Sequence, residues 1–94
     1  MDADAYNRKL RFRASHRGTR EADAMVGGFF DTYHSGWDAD QYAWFERLLE
    51  EQDVDIMAWA FGTATPPIEF QGPMIELLKQ LEFIDLPDGL VKTY

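Results

Sequence analysis

Thr19-Arg20-Glu21-Ala22-Asp23-Ala24-Met25-Val26-Gly27-Gly28-Phe29-Phe30-Asp31-Thr32-Tyr33-His34 is the stretch on which the fold class turns. Its apolar residues Ala22, Met25, Val26, Phe29, Phe30 and Tyr33 advance by steps of three and one, which holds them on one face of an α-helix. Gly27-Gly28 weakens that helix by about 1 kcal/mol per glycine relative to alanine, and its presence marks a close crossing with a neighbouring helix. The glycine spacing does not fit a dinucleotide-binding loop, and no strand precedes it.

The same period continues outward in both directions. Ser35-Gly36 reads as a break, with Gly36 suited to the position after a helix end. Asp38 and Gln41 then form a capping-box-like start to a helix whose Tyr42, Phe45, Leu48 and Leu49 share one side. Asp53 can cap a further helix with Ile56, Met57, Ala60 and Phe61 inward, ended by Gly62. Pro66-Pro67 cannot continue a helix, whereas Pro73 suits the first position of a last one carrying Met74, Leu77, Leu78 and Leu81. On the N-terminal side, residues 5–15 predict a basic helix or arm packed through Leu10 and Phe12. Residues beyond Glu82 read as a tail. The expectation is an all-α fold: one domain over residues 1–94, a small bundle of about five helices, core about 6–82.

Composition agrees with a single packed domain. A chain of 94 residues can bury about 60–65% of its unfolded surface, so its apolar residues, 46% of the total, must share one core. There is no cysteine, which removes disulfides and thiolate metal sites and suits a reducing compartment. His16 and His34 lack the paired spacing of a zinc site. No apolar run reaches the roughly 20 residues that span a bilayer, and Asp2 and Asp4 speak against a secretory or transit leader, so a cytoplasmic protein without membrane insertion is expected. The net charge of −8 is uneven. Residues 1–20 carry six basic residues against Asp2 and Asp4, a balance of +4 that leaves −12 for the remainder. That acidic remainder would repel a phosphate backbone, so the basic head points to an acidic protein surface rather than to nucleic acid.

No catalytic constellation is visible. Glu50, Glu51, Asp53 and Asp55 sit where carboxylates ordinarily cap helices and read as a solvated helix junction. Trp37, Trp44 and Trp59 read as core or rim residues rather than flavin stackers. The segment His16-Arg17-Gly18-Thr19-Arg20-Glu21 is different, because it sets two arginines, a glycine and a glutamate at a helix start. If Arg17 and Glu21 are an i, i+4 helix pair they contribute roughly 0.2–0.5 kcal/mol and nothing more. If instead they flank a bare stretch of main chain at Gly18, they outline a docking surface.

Three blocks in order carry a resemblance. Arg17-Gly18-Thr19-Arg20-Glu21 fits an Arg-Gly-x-x-Glu motif followed by the acid Asp23 and the aromatic pair Phe29-Phe30. Leu48-Leu49-Glu50 and Asp53-Val54-Asp55-Ile56 with Trp59 follow. From about Arg11 to Phe61 the chain resembles the bacterial SdhE-type flavinylation factors and their mitochondrial relatives, the succinate dehydrogenase assembly factors. Ala22 departs from the larger aliphatic residue found there in many relatives, a difference that bears on packing rather than on the motif.

The resemblance implies a small helical assembly factor, not an enzyme. Its implied partner is the flavoprotein subunit of succinate dehydrogenase, with that of fumarate reductase as a related client. The factor promotes covalent attachment of FAD to a histidine of the client. The FAD belongs to the client, so no cofactor is bound stably by this chain, and the free factor is expected to be a monomer. Carried over by position, the implied client-binding residues are Arg17, Gly18, Glu21 and Asp23, with Arg20 and His16 in the same patch. Gly18 would allow close approach, Arg17 would contact client carboxylates or carbonyls, and Glu21 would orient Arg17 or touch the client directly. The alternative reading is an antitoxin-type interaction module that neutralises a toxin.

Overall fold

A computed structural model describes residues 3–81. Among these residues there are five helices, α1 (Ala3–Ser15), α2 (Arg20–Tyr33), α3 (Ala39–Leu49), α4 (Asp53–Phe61) and α5 (Pro73–Gln80), with short 3-10 turns at His34–Gly36 and Ile68–Phe70. No strand occurs among the described residues. The expected all-α bundle is therefore the observed one. The residues read as a tail lie outside the described part.

Local chemistry sets most boundaries. Thr19 caps α2, its hydroxyl accepting from the Ala22 amide at 3.1 Å. Asp38 and Gln41 close the expected capping box of α3, each side-chain oxygen accepting from the other's backbone N–H, at 2.9 and 2.8 Å. Gly62 ends α4 at φ +79°, and Pro73 opens α5. Asp53 does not cap α4. Gln52 takes the cap position without a side-chain bond, and the Asp53 carboxylate is engaged elsewhere.

The buried side chains form one hydrophobic cluster. Met25, Val26, Phe29 and Phe30 of α2 meet Trp44, Phe45, Leu48 and Leu49 of α3, Ile56, Trp59 and Ala60 of α4, and Met74, Ile75 and Leu78 of α5. The α4 stripe is 56, 59 and 60, so Phe61 turns outward and Met57 is half-buried, contrary to the inward pair expected. In α5, Ile75 takes the buried place expected of Leu77, which is half-buried. Phe70, in the turn before α5, plugs the cluster and accepts the Trp44 indole N–H at 3.2 Å through its carbonyl.

The closest backbone packing joins α1 to α2 and α4 to α5, and α1 also crosses α3. Leu10 and Ala14 are the buried residues of α1. Phe12 lies about 200° round the helix from Leu10, so it points to solvent and is 62% exposed rather than packed. Gly27 is where α2 meets the end of α1: a Cβ there would stand 3.2 Å from the Ser15 Cβ and 3.3 Å from its Cα. Of the glycine pair, Gly27 marks the close crossing that was expected. Its effect is to hold the C-terminal end of α1, and the loop that follows, against α2.

Candidate functional site

The loop between α1 and α2 holds the Arg-Gly-x-x-Glu motif. Arg17 and Gly18 precede the helix and Glu21 lies inside it, so the expected i, i+4 helix pair is not formed. Arg17 turns inward, its side chain 10% exposed. Its Nε donates to Asp53 Oδ1 at 2.7 Å, Nη1 to the Leu49 carbonyl at 2.8 Å and Nη2 to the Glu51 carbonyl at 2.7 Å. One guanidinium thus satisfies a carbonyl orphaned at the C-terminal end of α3, a carbonyl of the α3–α4 link, and a carboxylate in the first turn of α4. A cation placed at the negative end of one helix dipole, with all three of its nitrogens donating, is a strong local anchor.

Two further contacts complete the clamp. The Arg17 backbone N–H donates to the Asp23 carboxylate, closing the loop onto the first turn of α2. Arg13, one turn earlier, reaches Glu50 at 3.3 Å. Of the junction expected to be solvated, Asp53 instead takes the Arg17 guanidinium and Glu50 pairs with Arg13 at its exposed rim, Glu51 contributes only its backbone carbonyl, and Asp55 is exposed. Charge complementarity between Arg13, Arg17 and that acid cluster was the signal that could have found it in the sequence. Spacing within the motif could not.

The remaining motif residues face outward. Gly18 has φ +119°, a conformation few side chains tolerate, and open space where a Cβ would be. Arg20 and Glu21 are exposed, and neither has an ion pair among the described residues. His16 is exposed at the end of α1, with Nδ1 2.8 Å from the Phe12 carbonyl. The six residues carried over from the motif therefore divide. Arg17 and Asp23 hold the loop, while His16, Gly18, Arg20 and Glu21 form its outer surface. Among the described residues no cluster of His, Asp or Glu could hold a metal ion, and no helix is long and apolar enough to cross a membrane.

The fold and site define a class: a small all-helical domain that carries a glycine-bearing loop held from behind by a largely enclosed arginine side chain. The chain belongs to the family described as flavinator of succinate dehydrogenase, whose model matches residues 8–82. It is 38% identical over 71 residues to the FAD assembly factor SdhE of Acetobacter pasteurianus, covering 76% of this chain and 65% of that protein. It is 31% identical over 74 residues to the mitochondrial succinate dehydrogenase assembly factor 2-B of Drosophila willistoni, covering 77% of this chain and 47% of the relative. With the mitochondrial succinate dehydrogenase assembly factor 2 of Aspergillus flavus it shares 34% identity over 68 residues, 72% of this chain and 23% of the relative. The match thus spans just under two thirds of the bacterial relative and half or less of these mitochondrial ones. All three are named as assembly factors rather than enzymes, and nothing in these names supports the antitoxin alternative.

Proposed function

We propose that this chain docks on the flavoprotein subunit of succinate dehydrogenase and promotes covalent attachment of FAD to it. The observation that carries this reading is the division of labour in the motif: Arg17 and Asp23 spend their hydrogen bonds inside the chain, and Gly18, Arg20 and Glu21 are presented on the loop so fixed. A rigid, charged loop with a bare glycine suits recognition of another protein's backbone. Glu21 and Arg20 make the charged contacts, Gly18 permits main-chain approach, and His16 borders the patch.

The client and its flavin supply the reacting atoms, so this chain needs no catalytic group. It accelerates the attachment by binding the reactive arrangement of the client more tightly than the others. In this reading the chain carries no FAD of its own, is a monomer when free, and works in the cytoplasm, contacting neither nucleic acid nor membrane. The flavoprotein subunit of fumarate reductase is a second client of the same kind.

The test is in-gel flavin fluorescence of the denatured flavoprotein subunit, prepared with FAD in the presence and absence of this chain. Covalent fluorescence is expected to rise with the chain present. Equal fluorescence in both lanes would sink the proposal.

A further inference from the structure

Beside the motif loop, the outward face of α1 carries a second feature that the motif does not include. Lys9, Phe12 and Arg13 stand at i, i+3 and i+4 on one side of α1, and His16 follows directly after its last residue, Ser15. Phe12 is 62% exposed, yet it is not loose. The His16 ring lies over it with centroids 4.0 Å apart and planes 16° from parallel. The Phe12 carbonyl can only accept, so the 2.8 Å contact to His16 Nδ1 requires the proton on that nitrogen, and in the neutral ring Nε2 is left as an acceptor. Ser15 Oγ, 3.2 Å from the same nitrogen, donates to the Arg11 carbonyl and has a lone pair left for the His16 N–H. Phe12, Arg13, His16 and Arg17 line a shallow depression of about 290 Å³.

We propose that Phe12, held flat against His16, is a second anchor for the same flavoprotein client. The proposal rests on the functional reading above and adds to it the residue that supplies apolar contact. The chemistry of the complementary surface follows from the surroundings. Arg8, Arg11, Arg13 and Arg17 are each paired within the chain, whereas Lys9 and Arg20 have no ion pair among the described residues, so the client surface facing these two cations is acidic. Within it an apolar recess takes the Phe12 ring. An aromatic ring already immobilised by stacking loses little freedom on binding, which is the property that makes such residues dominate interface energetics.

Ile68 provides the control. It is 78% exposed, more so than Phe12, but sits on the connection between α4 and α5. Binding of the FAD-free flavoprotein subunit of succinate dehydrogenase is measured by titration for wild type, Phe12→Ala and Ile68→Ala, together with melting temperature and covalent flavin. Phe12→Ala is expected to bind at least about tenfold more weakly with its melting temperature preserved, and Ile68→Ala to behave as wild type. If wild type works and Phe12→Ala binds equally well, the anchor is overturned and the functional reading stands. A large fall in melting temperature for Phe12→Ala also overturns it, since the ring would then belong to the fold. If wild type itself neither binds nor raises covalent flavin, the functional reading fails and the anchor with it.

Discussion

Arg17 is the residue whose position most changes how the motif is understood. Removing its side chain would leave the Asp53 carboxylate, 26% exposed, and the carbonyls of Leu49 and Glu51 without their partner. Unpaired buried acceptors cost far more than a lost surface contact, so Arg17→Ala is expected to lower the unfolding free energy by about 2–4 kcal/mol in urea titration. Arg17→Lys keeps the charge but not the planar fork, and an intermediate loss is expected. Glu21→Ala, at an exposed position, should melt as wild type and weaken client binding about tenfold. An Arg17→Ala variant as stable as wild type would show that the clamp is not formed in solution. That Arg17 and Glu21 belong to one motif was legible in the sequence. That they serve opposite sides of the loop was not, because the partners of Arg17 lie 32 to 36 positions away and nothing within the motif encodes them.

At the scale of helices, the features read correctly are those fixed by residues within one turn of each other. The α3 capping box, the Gly62 stop and the Pro73 start each need only local chemistry. The features misread depend on which neighbour a helix meets: Phe12 and Phe61 point outward because the buried stripes are set by packing partners remote in sequence. Gly27 lies between these cases, since a glycine in a helical run signals close approach without naming what approaches. The structure supplies Ser15 at 3.2 Å. Alanine there gains about 1 kcal/mol of helix propensity but must displace the end of α1 by a few tenths of an ångström, and larger residues cannot be accommodated by so small a shift. Gly27→Leu is expected to cost at least about 2 kcal/mol by thermal or urea unfolding and, by moving His16 and Arg17, to depress covalent flavin transfer to the client. Ser15→Gly in the same chain should restore part of both. Failure of that second change to restore either would mean the crossing is not what positions the loop.

For the molecule as a whole, pH dependence offers a test of how the basic head is joined to the acidic remainder. The far end of α1 is held to α3 by the Tyr6 hydroxyl, which donates to Glu46 Oε1 at 2.7 Å, with the Tyr42 ring 5.7 Å from that of Tyr6. Burial, and then the hydrogen bond and negative charge of Glu46, push the Tyr6 hydroxyl from its ordinary 10.0 up to about 12. The neutral phenol is therefore favoured in the folded state. A group whose folded value is raised contributes stability that is fully present below its unfolded value and lost as pH climbs through the folded one. Stability from this contact should be constant up to about pH 10 and disappear between pH 10 and 12. In ultraviolet titration one phenol is expected to ionise late in the folded chain, and Tyr6→Phe should remove that late step. The same variant should be less stable by about 1 kcal/mol at pH 8, having lost the hydrogen bond, while its melting temperature falls less steeply than that of wild type above pH 10. Identical alkaline slopes for the two chains would mean that the Tyr6 hydroxyl is not held by Glu46 in the folded chain and contributes nothing to fixing the N-terminal half of α1 against α3.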